Sequence, residues 1–201
     1  MPLAREQLRQ QGVAPDRLVF VDDGAVDASM NGQRVVSYAD FLAAPACERH
    51  VVLAIANNVV RERLAARCET DGVRAWSVTA ANVVKMDDVV LGEGAVLSPF
   101  VTITSNIRIG KQFHANIYCY VAHDRVIGDF VTFAPGVKCN GNIVIEDHAY
   151  IGTGAVIKQG KPGQPLVIGR GAVVGMGAVV TKDVPAGATV VGNPARIMNK
   201  D

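Results

Sequence analysis

The chain has 201 residues, 20 basic against 19 acidic, for a net charge of +1, and is 49% hydrophobic but only 5% aromatic. The charge balance excludes a basic nucleic-acid-binding stripe and an acidic solvating arm. No apolar run is long enough to span a bilayer and no basic-then-apolar leader opens the chain, so a soluble, cytoplasmic protein is expected.

Residues 3–11 read as a helix ended by Gly12, followed by a strand over 18–21 and a turn at Asp22-Asp23-Gly24. A short helix is predicted over 38–44 and a buried strand over 50–56. Val60, Leu64 and Cys68 then fall on one helix face that ends near Asp71-Gly72, and 74–78 lead into the next region. Strands alternating with helices predict a small parallel α/β domain over residues 1–77. The four cysteines (Cys47, Cys68, Cys119 and Cys139) lack CxxC spacing, so they are expected to be free thiols with no metal.

Residues 78–201 have a different period. Steps of six from Leu91 land on an apolar residue twelve times in succession, ending at Ile157, and resume after five extra residues at Ile168, Val174 and Val180. The fourth position after each anchor is apolar too (Ala95, Val101, Ile107, Phe113), with Arg125 the exception. A period of six fits neither a helix nor a simple alternating strand. It fits short strands joined by corners, three to a coil, with two inward side chains per six residues. Arg125 therefore falls in an inward slot. An unpaired buried guanidinium is costly, so either the strand bulges or Arg125 meets a carboxylate, Asp124 or Asp129.

The six-residue pattern resembles the hexapeptide-repeat acyltransferases, whose parallel β-helix is left-handed, an exception to the usual crossover rule. Both halves together resemble the sugar N-acetyltransferases that modify nucleotide-linked 4-amino-4,6-dideoxyhexoses, which are related to sialic-acid O-acetyltransferases. The segments that carry this are Val19-Phe20-Val21-Asp22-Asp23, Ala54-Ile55-Ala56-Asn57-Asn58, Val121-Ala122-His123-Asp124-Arg125-Val126-Ile127-Gly128 and Val191-Gly192-Asn193-Pro194-Ala195-Arg196. The resemblance implies a left-handed parallel β-helix behind a small Rossmann-like α/β domain. It also implies acetyl-CoA as co-substrate, a nucleotide-linked amino sugar as acceptor, and a homotrimer.

Acyl transfer to an amine needs a base, donors for the tetrahedral oxyanion and alignment of two substrates. The family's catalytic base and carboxylate partner carry over to His123 and Asp124, and Asn116 matches a position near the base that holds the ring or the sugar amine. His123 follows an inward anchor by two positions, which points it outward, where a neighbouring subunit can face it. For acetyl-CoA, position matching brings Gly141, Thr153 and Met176 alongside the pantetheine arm, and a histidine contact in one family member falls on Thr132. The polar, basic insertion at 158–164 is expected to be flexible and is a candidate for the CoA phosphates. For the sugar nucleotide, an acidic residue after a parallel strand can accept from a base or ribose hydroxyl, which singles out Asp22 and Asp23. Asn57 and Asn58, ending the next strand, would face the same crevice, although Asp-Asp-Gly is equally good turn chemistry. His114 and His148 read as surface residues, and His50 has no assigned role.

Three other readings stand beside this one. The same base would serve O-acetylation of a sugar such as sialic acid. A zinc lyase on a left-handed helix would need three converging histidines, which this spacing does not supply. A non-enzymatic β-helix scaffold leaves the His123-Asp124 pair unexplained. The resembled family's first strand and Gly-rich phosphate-cradling turn have no counterpart before the first helix here. The expectation is either a shortened version whose upstream residues contain the turn or a repacked domain, in both cases with normal acetyl-CoA binding and weak sugar-nucleotide affinity.

Overall fold

The computed structural model describes residues 2–24 and 28–198, which divide into two compact units, Met1–Arg49 and His50–Asp201.

In the first unit, helix α1 (Pro2–Gln10) is followed by strands β1 (Phe20–Val21), β2 (Ser29–Met30) and β3 (Gln33–Val36) and by helix α2 (Tyr38–Ala43). β1 runs parallel to β3, with Phe20 opposite Val35, while β2 and β3 form an antiparallel hairpin. The hairpin was not anticipated. Its tip is Asn31-Gly32, with φ of 51° and 74°, the left-handed pair that a two-residue primed turn requires. Ser37 caps α2 by accepting from Asp40 N at 3.0 Å.

The second unit begins with β4 (His50–Val51), α3 (Asn58–Thr70) and β5 (Arg74–Ala75), β4 and β5 being parallel. Asn57 caps α3, and Val73 N bonds back to Cys68 O at 2.8 Å over Gly72, whose φ of 72° closes the helix in a Schellman turn. β4, α3 and β5 thus belong to the same compact unit as the solenoid.

The solenoid has three faces, each a parallel sheet apart from one terminal antiparallel strand. The first face has eight strands running from Val78–Thr79 through His114–Ala115 to Arg196–Ile197. The second has six, from Val84–Lys85 to Val179–Val180, and the third five, from Val89–Leu91 to Leu166–Ile168. Stacked partners lie one coil apart, as Thr102 with Tyr120 and Ile107 with Arg125. The insertion lengthens one coil, so that Ile143 pairs with Leu166.

The inward slots are filled as expected. Leu97, Val101, Ile103, Ile107, Phe113, Val121 and their repeats form one continuous aliphatic core. Each buried aliphatic side chain contributes about 1.5–3 kcal/mol, so every coil is held by its neighbours.

The corners have a cause the repeat did not reveal. From 88 to 154 every sixth residue has a positive φ, between 53° and 72°, and most of these are not glycine: Asp88, Phe100, Asn106, Gln112, Tyr118 and Asp124 among them. The glycines after the anchors serve another purpose. A Cβ on Gly92 would lie 2.5 Å from the backbone of Gly110 in the next coil, so that position is small because coils meet there.

Arg125 resolves differently from both expectations. Its strand stays in register on both sides, without a bulge, and its side chain is buried. Nε donates to Ala122 O at 2.6 Å, and the other nitrogens reach Cys139 O at 2.7 Å and the Cys139 sulfur. Carbonyls of its own corner and of the next coil, not Asp124 or Asp129, satisfy the guanidinium; Asp124 is bonded to His123 and Asn106, and Asp129 accepts from Lys111 N. Burial lowers the Arg125 pKa and pushes the Cys139 thiol up to about 11. All four cysteines are free, three of them buried. No helix among the described residues is long and apolar enough to cross a membrane.

Candidate functional site

His123 and Asp124 occupy the corner between the second-face strand Tyr120–Val121 and the third-face strand Arg125–Ile127. His123 Nδ1 lies 2.7 Å from Asp124 Oδ2, with both side chains about half exposed. Asp124 has φ of 57°, and this left-handed step turns its carboxylate back onto the ring that precedes it. Its other oxygen accepts from Asn106 Nδ2 at 3.1 Å, one coil earlier. The bonds with His123 and Asn106, in that order, hold the Asp124 carboxyl below its ordinary pKa. A carboxylate on Nδ1 fixes the tautomer that leaves Nε2 as the acceptor, the arrangement a general base requires.

Gly141 stacks on His123 one coil later. A Cβ there would sit 2.7 Å from Cε1 and 2.8 Å from Nε2 of the imidazole, so the missing side chain is the space that the ring uses. A cavity of about 440 Å³ opens beside the corner, lined by Asp124, Asn106, Arg108, Asn142 and Lys161. The insertion that supplies Lys161 is not a loose loop. Lys161 and Gln164 exchange two backbone bonds of 3.0 Å around Gly163, closing a tight turn over the corner.

Asn116, Thr153 and Met176 lie elsewhere. They follow the first-face strands His114–Ala115, Tyr150–Ile151 and Val173–Val174 and so occupy the corner between the first and second faces. All three are exposed, Met176 to 81%. The candidate residues thus fall on two corners of one chain, His123, Asp124 and Gly141 on one and Asn116, Thr153 and Met176 on another. The second corner also carries an exposed aromatic stack, Phe100 on Tyr118, with centroids 5.0 Å apart and planes within 3°.

Thr132 lies on the first face beneath α3, where it is buried and its hydroxyl accepts from Arg61 at 3.0 Å. Arg61, which sequence reasoning missed, is fully buried and also donates to Ile55 O, Ala56 O and Phe130 O at 2.7, 3.3 and 2.8 Å. Burial pulls its pKa down to about 10. No sequence signal marks it, because two of its partners are ordinary backbone carbonyls just before α3 and the other two, Phe130 O and the Thr132 hydroxyl, lie about 70 residues along the chain.

The two histidines expected at the surface are instead covered. His114, outward on the first face, lies near Arg61, and burial together with that charge pulls its pKa down to about 3. His148 stacks on Phe130 with centroids 5.4 Å apart and approaches Glu62 at 3.4 Å. A second cavity of about 610 Å³ opens between α3, β5 and the corner from third to first face, well removed from the His123 ring.

The candidate nucleotide residues all carry structural bonds. In the first unit Asp22 Oδ1 accepts from Gly24 N at 2.9 Å, and Asp23 Oδ1 accepts from Tyr38 N at 2.7 Å. In the second, Asn57 accepts from Val60 N at 3.0 Å as the cap of α3, and Asn58 donates to His148 O. No group of three or more His, Cys, Asp or Glu side chains among the described residues is placed to hold a metal ion.

No protein-family model matches the chain. It is 54% identical over 200 residues to the GDP-perosamine N-acetyltransferase of Escherichia coli O157:H7, a match covering 100% of this chain and 90% of that protein. It superposes on WeeI from Acinetobacter baumannii AYE with a TM-score of 0.96 at 62% identity, covering 98% of this chain and 92% of that one. The acetyltransferase domain of PglB from Neisseria gonorrhoeae FA1090, solved in complex with acetyl coenzyme A, matches with a TM-score of 0.83 at 26% identity, covering 98% of this chain and 93% of that one. The solenoid is the left-handed β-helix of the hexapeptide-repeat acetyltransferases.

Proposed function

Because this chain belongs to the hexapeptide-repeat nucleotide-sugar N-acetyltransferases, we propose that it moves the acetyl group of acetyl-CoA to the 4-amino group of a GDP-linked 4-amino-4,6-dideoxyhexose, perosamine. The observation that carries this is the His123–Asp124 pair, bonded at 2.7 Å through Nδ1 and leaving Nε2 as acceptor, in a chain 54% identical to a GDP-perosamine N-acetyltransferase. The same base would serve a sugar hydroxyl, but that relative's named acceptor favours the amine.

In this mechanism the sugar nitrogen attacks the thioester carbonyl and forms the C–N bond. Nε2 of His123 takes the nitrogen's proton, and the imidazolium that results is stabilised by Asp124. Collapse of the tetrahedral intermediate breaks the C–S bond, and the proton passes from Nε2 to the leaving thiolate. The step balances without a metal or a redox partner.

These two corners are half-sites that belong together only in an assembly. A closed homotrimer sets the His123 corner of one copy against the Asn116 corner of the next, equally at three sites. Asn116 of the neighbour would then orient the amine, while Thr153 and Met176 would line the pantetheine path opposite Gly141. The exposed Phe100–Tyr118 stack supports this arrangement as an apolar patch in need of cover. Asp22 and Asp23, in the first unit, would contact the nucleotide through the carboxylate oxygens that their turns leave open. A cytoplasmic location follows from the supply of acetyl-CoA.

The test is release of free CoA thiol across GDP-, UDP- and dTDP-linked 4-amino sugars and free sialic acid. The highest kcat/KM is expected with GDP-perosamine. Preference for sialic acid would move the assignment to O-acetylation, and preference for a UDP or dTDP sugar would overturn the nucleotide.

A further inference from the structure

Asn106 and Gly141 flank the His123–Asp124 corner. They stand on opposite sides of the pair, one coil before it and one coil after. Asn106 shares with Asp124 the left-handed backbone of the repeated corner, with φ of 60° and 57°. Side chains leaving equivalent steps of stacked coils run side by side, which is why Asn106 Nδ2 meets Asp124 Oδ1 at 3.1 Å. With one oxygen held there, the other is aimed at Nδ1 of His123. On the far side the ring rests in the notch above Gly141, where a Cβ would intrude to 2.7 Å. The backbone supports the same corner, since Asp124 N donates to Ser105 O at 3.2 Å and Asn142 N donates to His123 O at 3.2 Å.

From this we infer that Asn106 and Gly141 are positioning residues that clamp the base between consecutive coils. Asn106 fixes the carboxylate that sets the imidazole's tautomer, and Gly141 provides the space that sets the ring's tilt and the direction of Nε2. The inference rests on the reading of His123 as the base. A solvent-exposed carboxylate with no second anchor would rotate among rotamers, and the ring with it, and a misplacement of about 1 Å in a reacting group costs up to about a hundredfold in rate.

The charged neighbours do not substitute for Asn106. Arg108 is paired with Asp88 at 3.0 Å, Arg125 is turned into the core, and Lys161 lines the cavity from the far side of the insertion turn.

The variants are chosen to leave the fold intact. Asn106→Gly removes the amide while keeping a residue suited to positive φ. Gly141 has no positive φ, so Gly141→Ala changes only the space under the ring. Steady-state kinetics with acetyl-CoA and GDP-perosamine should show kcat lowered about ten- to a hundredfold in Asn106→Gly with KM for acetyl-CoA unchanged. Followed by carboxyl NMR titration, the Asp124 pKa should move up in Asn106→Gly, because the carboxylate loses a bond that favours its charged form; a merely structural role would leave it in place. Gly141→Ala should lower kcat at least as much, because its Cβ and the ring cannot both stay. Wild-type kcat and an unshifted Asp124 carboxyl in Asn106→Gly, or wild-type kcat in Gly141→Ala, would overturn the clamp. His123→Ala, run in parallel, separates the two levels. If it is inactive while both clamp variants are normal, the clamp alone fails; if it turns over normally, the base assignment fails and the clamp with it.

Discussion

His114 and His123 lie in consecutive strands and corners of the solenoid, and their surroundings give them opposite chemistry. His114 projects from a flat face that α3 covers. Burial and the neighbouring Arg61 drive its pKa to about 3, and its Nε2 has no hydrogen-bond partner among the described residues. His123 projects from a corner, half exposed, with a carboxylate on Nδ1 and an open notch under its ring. A nitrogen with a pKa of about 3 stays neutral at working pH but accepts a proton too weakly to act as a base. The repeat thus supplies outward positions in quantity, and what covers each position decides whether a histidine there is packing or chemistry.

The largest expected effect falls on the corner. His123→Ala should lower kcat by about two to four orders of magnitude with little change in acetyl-CoA affinity, because the base serves the acceptor. His114→Phe should keep kcat within the same order of magnitude. Comparable losses from the two would end the contrast.

A second effect should appear in stability under α3. Arg61→Met strips the carbonyls of Ile55 and Phe130 of a buried donor. Chemical denaturation should show a loss of about 2–4 kcal/mol. Without that positive charge the His114 pKa should also rise, which imidazole NMR titration would read directly.

The smallest effect is a slope. The unfolded chain protonates His114 near pH 6.5, while the folded chain refuses that proton until about pH 3. Between these limits the unfolded state binds more protons, so stability falls as pH is lowered through the window, by at most about 1.4 kcal/mol per pH unit. His114→Phe should flatten that part of the stability curve, and an unchanged slope would show that His114 takes up its proton in the folded state.

The solenoid was legible because its two inward slots per six residues demand aliphatic side chains, and from Leu91 onward the chain obeys almost without exception. The left-handed corners were hidden, since Phe100, Gln112, Tyr118 and His148 carry no compositional sign of positive φ. Asn31-Gly32 was readable as a hairpin, but its flanks are too polar and exposed to alternate like ordinary strands. In α3 the stripe Val60, Leu64 and Cys68 pointed to the correct face, yet the most buried residue on it is Arg61, whose partners exist only once the helix packs. The His123–Asp124 pair was found by its motif. Asn106, one coil away in space and 18 residues away in sequence, is brought to it by stacking alone.

The central claim is that one active site is assembled from two copies, His123 from one and Asn116 from the next. Subunit complementation tests it most directly. His123→Ala and Asn116→Ala proteins, each poorly active alone, are unfolded, mixed in equal amounts and refolded together. In a ring of three, every mixed trimer has one interface with an intact His123 facing an intact Asn116, so about a quarter of the sites should regain wild-type turnover. Mixed trimers confirmed by mass that show no activity beyond the sum of the two parents would contradict the shared site.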